Sequence, residues 1–564
     1  MKNIFLRTIS AAVVVACLTP CAAFATALPS SVLPSRVQQQ LAPQEERQLA
    51  APEVSGVSRA APVSAPQGAG KYKFVLESVR VGGMTVYKPA EIRPLYAAEI
   101  GKTVTLTDIY ALAQELTAKY RNDGYILTSV VVPPQTIRNG AVRLRAIEGF
   151  VHKVVIRGPG GGDDAFLYKM AAPVENARPL NMKTLQRVLL LMNDLPGLRA
   201  RAVLSAAPHT VGASDVTIFV SRTNVSVTLE TDNRGTRYLG PLQASVTTRL
   251  NGPAGRFDSL AVQISRTADN AEMTYGGVTY TVPLDARGTS LSLGANVSYD
   301  QPGYSLAPFA INGQAQSAFV QVSYPFIRAR WTNLSATLRF DYLDSTYTDN
   351  LVTSTTADRL SVLRLGATWQ FADRFVGVNT LTAQVSRGLG LFNPTTPGTP
   401  NMSRVNGRSD FTKVTAQLSR LQRISDKVEL YAAVSGQKSA DTLLASEEFG
   451  VGGAAFGSAY DPSEITGEDG VAARAELRYN GAVEKPWLRS YQAYGFYDIG
   501  KVWDPDSSSA SSRIASLADT GVGIRTVFTP MLSGALEAAL PLTRTVGTTH
   551  NKHVRFFFTL TAQF

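Results

Sequence analysis

The sequence predicts a transmembrane β-barrel of sixteen antiparallel strands preceded by two small α/β domains, and three observations predict it. The chain ends on a strand with one oily face: Phe564, Ala562, Leu560, Phe558, Phe556 and Val554 alternate with Gln563, Thr561, Thr559 and Arg555, Phe557 being the one exception. Alternate residues of a strand point to opposite sides, so one side is apolar and the other polar, as in a wall between lipid and an aqueous lumen. The same period recurs from about Thr223 onward, where Val225, Val227 and Leu229 alternate with Ser226, Thr228 and Glu230. Leu334, Ala336, Leu338, Phe340 and Tyr342 repeat it, as do Leu363, Leu365, Ala367, Trp369 and Phe371. About sixteen such segments of roughly ten residues, parted by turn-rich stretches, fill residues 223–564. A soluble β-sandwich would alternate too, but so many long strands in one continuous region exceed its scale. Ahead of this region the periodicity is instead helical, twice over.

The N-terminus reads as a secretory leader. Lys2 and Arg7 form a basic region, Ile9 to Leu18 an apolar core, and Ala23-Phe24-Ala25 a small-x-small cleavage site, which predicts a signal peptide over residues 1–25. Val14-Val15-Ala16-Cys17 resembles a lipoprotein cleavage box, a rival weakened by the ordinary site close behind it. Both cysteines, Cys17 and Cys21, fall inside the leader, so the mature chain would carry no thiol, which suits an oxidising periplasm. No later segment approaches the length of apolar run that a membrane-spanning helix needs.

Residues 26–71 are rich in Pro, Gln, Ala and Ser and read as a linker without a core of its own. A helix over Arg36 to Leu49, interrupted by Pro43, is either a spacer or a plug for a pore. Residues 72–149 form the first α/β unit. Phe74, Leu76, Val79 and Val81 read as a strand, and Ile109, Leu112, Ala113, Leu116 and Tyr120 as the buried stripe of a helix closed by Asp123-Gly124. Tyr125 to Val132, stopped by Pro133-Pro134, and Ala141 to Ile147 read as further strands. Residues 150–222 repeat the order: Val154 to Ile156, a helix with Leu185, Val188, Leu189 and Met192, a break at Leu195-Pro196-Gly197, then paired strands at Arg199 to Ala206 and Asp215 to Val220.

Bulk properties narrow little. The chain has 564 residues, of which 18% are charged, and its mean hydropathy is near zero. Half of every barrel strand is polar, so hydropathy does not separate a barrel from a soluble enzyme. The formal charge of +11 is scattered along the chain and no nucleic-acid motif accompanies it, which argues against nucleic acid as a partner.

The order of parts resembles the transporters of two-partner secretion (TpsB proteins, the haemolysin secretion-activation family of the barrel-assembly superfamily), whose small repeats are POTRA domains. Tyr120-Arg121-Asn122-Asp123-Gly124-Tyr125, Val132-Pro133-Pro134-Gln135 and Glu148-Gly149 resemble the family's first POTRA domain. Asn193-Asp194-Leu195-Pro196-Gly197 is similar to its helix exit in the second, and Asp232-Asn233-Arg234-Gly235 with Gly240 to a turn at its first barrel strand. Each motif alone is weak, since Gly, Asn and Pro mark turns anywhere; their shared order is specific.

The resemblance implies a long loop folded into the lumen, its tip bearing an arginine that meets an inner-wall aspartate. Here the loop lies between Lys438 and Asp469 and carries Phe449, Gly450, Gly452, Gly453, Ser458 and Tyr460; the wall motif is Phe496, Asp498 and Gly500. The position of the expected arginine holds Ser458, or Gly457, so either Arg474 or Lys501 substitutes as the cation that meets Asp498, or the loop is held less firmly. The function implied is export, across the outer membrane of a Gram-negative bacterium, of a large unfolded exoprotein of haemolysin, adhesin or haemagglutinin type. The POTRA sheet edge at Tyr125, Val130 and Val132 would receive it by strand addition. Phe564 resembles the signal read by barrel-assembly machinery during biogenesis. A monomer in contact with outer-membrane lipid, with porin activity and no cofactor, completes the expectation. The alternatives are a barrel-assembly factor, whose relatives usually carry more POTRA repeats, and a diffusion pore, which needs none.

Catalytic motifs fail for lack of context. Gly101-Lys102-Thr103 lacks the glycine a phosphate loop needs before its lysine, and Gly450-x-Gly452-Gly453 lies between strands with no helix after it. Of His152, His209, His550 and His553, only the last two are close, in a turn before the final strand, and a metal site normally needs more ligands.

Overall fold

Sixteen antiparallel strands close on themselves when the first, Val225–Asp232, pairs with the last, Arg555–Gln563, through Thr228↔Gln563 to Asp232↔Thr559. The computed structural model describes residues 28–41, 54–55, 64–158, 163–208, 210–268, 272–505 and 514–564, the side chain of Glu484 excepted. The leader, with Cys17 and Cys21, lies outside them. Along the wall the predicted alternation holds. Val225, Leu229, Leu338, Leu365, Trp369, Leu560 and Phe564 are exposed on the outer face. Phe557, the exception in the sequence, points inward, is buried, and packs with Tyr494 and Phe496. Its ring lies 4.8 Å from the Arg234 guanidinium, so it fills the lumen rather than facing lipid.

The strands are unequal, and not uniformly ten residues long. The first three span only Val225–Asp232, Gln243–Asn251 and Ser259–Thr267, whereas Asn312–Arg328, Thr332–Asp349 and Ser354–Ala372 are twice as long. Two short strands, Phe449–Val451 and Ile465–Gly467, form a hairpin apart from the wall.

The first α/β unit builds a sheet in which Ser78–Gly82 runs parallel to Ala141–Ile147, which in turn pairs antiparallel with Ser129–Val131 at the edge. The helix Leu106–Asn122 covers it with Ile109, Leu112, Ala113, Leu116 and Tyr120, all buried. Its N-terminus is fixed by Thr105, which accepts from the Asp108 amide while the Asp108 carboxylate accepts from Thr105. The predicted strand from Tyr125 shrinks to three residues. Tyr125 lies in a turn, its amide donating to the Tyr120 carbonyl (2.8 Å) and its ring edge-on to Tyr120. Pro133 and Pro134 then end the strand, and the Gln135 side chain takes its place: its amide bonds both the Arg143 carbonyl (2.7 Å) and the Arg143 N–H (2.8 Å).

The second unit pairs Leu198–Ala206 with Ala213–Arg222, which runs parallel to Phe150–Arg157. Two helices cover it: the expected Met182–Asn193, and Asp164–Glu175, which Pro173 inside it hid from a reading by propensity. The Asn193-Asp194-Leu195-Pro196-Gly197 run joins unit to barrel. Asp194 pairs with Arg328 at 2.7 and 2.9 Å, and Gly197, at φ +68°, is closed over by the Thr223 carbonyl, which a β-carbon would meet at 2.3 Å. Arg187 adds a bond to the Pro325 carbonyl at 3.2 Å. A further strand appears that the sequence did not reveal: Val54–Ser55, from the linker, lies parallel to Leu198–Ala206, opposite Ala202 and Val203.

The linker helix begins earlier than expected, at Pro34, and is described as far as Leu41. Proline at the first helical position is pre-set for a start. The remainder of the predicted helix falls outside the described residues.

Candidate functional site

The candidate site is the lumen, where the hairpin and the linker helix meet the inner wall. Phe449–Val451 pairs with Ile465–Gly467, and the wall offers glycine notches to receive their side chains. A β-carbon at Gly470 would come 2.2 Å from the Phe449 ring, and one at Gly500 would come 2.4 Å from Val451 Cγ1. The tip then turns tightly. Gly452 has φ +126° and sits 2.2 Å, measured to a hypothetical β-carbon, from the Asp461 carbonyl; Gly453 and Gly457 are also left-handed. The Gly452 and Gly453 amides close the turn on the Phe456 and Gly457 carbonyls at 2.8 and 3.1 Å. Gly450 leaves room for Ser463.

At this tip the predicted residues converge. Asp498 is fully buried, and its Oδ2 accepts from the amides of Gly457 (3.1 Å) and Ser458 (3.2 Å). The cation is Arg474, which lies directly across from Asp498 in register and approaches Oδ2 to 3.5 Å. The same guanidinium donates to Ser458 Oγ (3.1 Å) and the Ala454 carbonyl (2.8 Å), pairs with Glu476 (3.3 Å), and stacks 4.5 Å from the Phe496 ring. Serine at 458 thus accepts from an arginine delivered by the wall. Lys501 is exposed and on the opposite parity from Asp498 and Gly500, so it faces away. That parity was readable in the sequence and would have excluded it.

Tyr460 extends the anchoring, its hydroxyl donating to the Ala518 carbonyl at 3.1 Å. Asp461 binds Arg555 on the last strand at 2.8 Å and Thr548 at 2.6 Å. Sequence reading missed this pair, and also Asp519, buried opposite Asp498 on the next strand. Polar residues on inward parity at the lumen end of a strand were the signal available.

The root of the loop is held by charge. Glu447 pairs with Arg364 (2.7 Å) and Lys413 (2.8 Å), while Arg404 reaches Glu448 and Glu468, both at 3.1 Å. The linker helix docks on this root. Arg36, itself buried, donates to the Ala445 carbonyl at 2.7 and 3.1 Å and to the Glu448 carbonyl at 2.6 Å. Gln39 donates to the Ser446 carbonyl and Gln38 to the Ala315 carbonyl on the wall. On its other side Val32 and Val37 pack with Tyr238, Leu239, Met273 and Tyr275.

The family model for the haemolysin secretion/activation protein ShlB/FhaC/HecB matches residues 212–526, more than half of the chain, and that for the ShlB-type POTRA domain matches residues 74–149. The chain belongs to the haemolysin secretion/activation family. It is an outer-membrane transporter of the two-partner secretion type, with its POTRA domains in the periplasm. Among relatives, the heme/hemopexin transporter protein HuxB of Haemophilus influenzae strain 86-028NP is 22% identical over 449 residues, covering 78% of each chain. The outer membrane transporter CdiB of Escherichia coli is 24% identical over 530 residues, covering 90% of this chain and 85% of the relative. The solved structure of CdiB from Escherichia coli shares the fold with a TM-score of 0.74 at 19% identity, over 94% of this chain and 98% of that one. CdiB from Acinetobacter baumannii gives 0.62 at 17% identity, over 94% and 96%.

In the transporter's first POTRA domain the motif glycines and carboxylates have physical reasons. Gly149 packs against Leu127, whose carbonyl a β-carbon would meet at 2.5 Å. Glu148 accepts from the amides of Thr85 (2.8 Å) and Val86 (3.1 Å), from the Thr85 hydroxyl, and from Tyr120 Oη (2.7 Å). Burial opposes its charge, but these donors hold its pKa below the usual glutamate range. A depressed carboxylate stabilises the fold fully above its ordinary pKa of 4.5 and loses that contribution as pH falls through the folded value. Glu148→Gln is expected to destabilise the domain by about 2 kcal/mol at neutral pH and to flatten its acid limb, read by protease resistance of the periplasmic part against pH. An acid limb unchanged by the substitution contradicts this assignment.

The edge strand is less open than the sequence suggests. Val130 is buried, Val132 lies past the strand end, and the Val130 amide already donates to Thr117 Oγ1 at 2.9 Å. Phe564 seals the barrel seam, exchanging backbone bonds with Val227 at 2.9 and 3.1 Å, while its ring stays exposed.

Proposed function

We propose that the transporter exports one large unfolded partner protein of haemolysin, haemagglutinin or adhesin type, and that the helix Pro34–Leu41 and the Phe449–Tyr460 loop are the two movable parts of its gate. The observation that carries this reading is the bonding of the helix to the loop root through Arg36, which makes the two lumen inserts one connected closure. The partner would meet the POTRA domains as an extended chain, adding to the Ser129–Val131 edge once the Thr117 hydroxyl gives up the Val130 amide. It then threads the lumen and folds outside, folding itself supplying the pull. Phe564 serves as the recognition signal for barrel assembly, and the transporter works as a monomer.

Deleting the gene and comparing the culture medium and outer membrane by mass spectrometry tests the reading. Loss of one very large secreted protein is expected, with other barrels unchanged. A general depletion of barrels instead supports an assembly factor and overturns export.

A further inference from the structure

The face of the second POTRA sheet that its helices leave bare is basic where it meets the barrel. Phe219 stands there half-buried, with Arg201 opposite it on one neighbouring strand and Arg157 opposite it on the other. The Arg201 guanidinium lies 4.8 Å from the Phe219 ring, and Arg199 is the next residue of that face toward the barrel. All three arginines are exposed. Among the described residues none of them has a carboxylate partner, and Asp215 on the same face is taken by Lys153 at 3.4 Å. These side chains form one wall of a cavity of about 960 Å³ whose other wall is the barrel mouth, with Ser226, Arg249, Asn251 and Arg328. The single carboxylate among the described residues of its lining, Asp194, is paired with Arg328 at 2.7 Å. Ser226 and Arg249 lie on the inward parity of their strands, since Val225 and Leu250 beside them are exposed on the lipid face. The cavity therefore opens inside the cylinder and not on its membrane side. It meets a second cavity, of about 290 Å³, at Arg249; that one lies on the lumen wall, where Thr247, Gln263, Asn296 and Arg339 contribute and no carboxylate does.

We infer that this vestibule receives acidic stretches of the exported polypeptide and draws them from the periplasm toward the lumen. The inference rests on the export reading and names the chemistry of the segment that enters. A cleft lined by one sign of charge focuses the field, raising the local concentration and the arrival rate of oppositely charged groups. Arginine also presents a planar fork that can hold a carboxylate by two bonds. Phe219, flanked by two such forks, offers an apolar seat for a side chain carried between two acids. An unfolded chain suits the place, because its carboxylates reach the arginines without a fixed shape, whereas a folded domain does not enter a cavity of this size. Exposed ion pairs are individually weak and screened by salt, so the hold is reversible, as passage requires. An anionic phospholipid has the charge but not the access, since lipid meets the opposite parity of the wall.

The test is the binding of fluorescein-labelled poly-L-glutamate to the full transporter in detergent, followed by fluorescence anisotropy, with labelled poly-L-lysine as the control. Poly-L-glutamate is expected to bind, and to weaken steeply as potassium chloride is added. Its binding to the triple variant Arg157→Gln, Arg199→Gln, Arg201→Gln is expected to be about tenfold weaker. The triple variant Arg157→Lys, Arg199→Lys, Arg201→Lys is expected to keep most of the binding, because the charge remains. Gel mobility that shifts on heating, and protease resistance of the periplasmic part equal to the parent's, show that both variants are folded. Equal binding of the two polymers, or a glutamine variant that binds as tightly as the parent, overturns the inference. So does phosphatidylglycerol that co-purifies with the parent and is lost from the glutamine variant while poly-L-glutamate fails to bind, which makes the vestibule a lipid site. If the gene deletion leaves every secreted protein in the medium, the export reading falls while polymer binding still reports the basic vestibule. Loss of a giant secreted protein without polymer binding sinks this inference alone.

Discussion

Replacing Arg474 with alanine is expected to give a leaky, unstable gate: ion leakage in planar bilayers rises well above that of the unmodified transporter, and the loop tip becomes accessible to protease. One guanidinium serves Ser458, the Ala454 carbonyl, Glu476 and Asp498, so its loss leaves two buried carboxylates short of a partner. Breaking a buried ion pair by removing one member costs about 3–5 kcal/mol. Arg474→Lys should recover little, because an ammonium cannot span the wall carboxylates and the loop acceptors together. Adding Asp498→Asn to Arg474→Ala should recover part of the closure, since asparagine keeps an acceptor for the Gly457 and Ser458 amides without a charge. Ser458→Arg, which restores the family's motif, is expected to loosen the tip instead: Ser458 is buried, and the space for a guanidinium is filled by Arg474. Leakage of the Arg474→Ala protein equal to that of the parent would remove this latch from the mechanism.

Arg36→Ala is expected to shift the lumen helix toward release. The substitution deletes the donor of three bonds, to the Ala445 and Glu448 carbonyls, at the junction between helix and loop root. Bonds from a charged donor contribute about 1.5–3 kcal/mol each in favourable cases, so a loss of about 3 kcal/mol is on the order of a hundredfold in helix occupancy. Recordings should show frequent large openings, and Gln38→Ala, which removes one wall bond to the Ala315 carbonyl, should show far fewer. Equal behaviour of the two variants would place the hold elsewhere.

Much of the fold was legible because its physics is local. A period of two reports a wall with lipid on one side, and the buried stripe Ile109 to Tyr120 reports a helix on a sheet, whatever surrounds them. The motifs were legible for the same reason: Gly149, Gly197 and Gly500 each stand where a β-carbon has no room. What stayed hidden depends on partners distant in sequence. Arg474 could be named only as one of two substitutes, because its register against Asp498 is set by strand pairing and not by spacing along the chain. The Val54–Ser55 strand has no periodicity at all; two residues in a polar linker become a strand only beside Ala202 and Val203. The helix Asp164–Glu175 was masked by its own proline, and Tyr125 to Val132 looked longer than it is because aromatic and β-branched residues favour strands even where a turn intervenes.

The unequal heights of the wall bear on the membrane around it. Where the first and last strands meet, eight or nine residues cross the bilayer, and five register pairs with the Val227–Phe564 exchange beyond them hold the join. At the usual strand tilt eight residues rise about 21 Å, less than the roughly 25 Å apolar band of an outer-membrane barrel. Lipid beside the join is therefore compressed, while lipid beside the tall strands between Asn312 and Ala372 is not. The thinnest bilayer and the least-bonded meridian of the cylinder coincide, so this side yields first when the wall is strained.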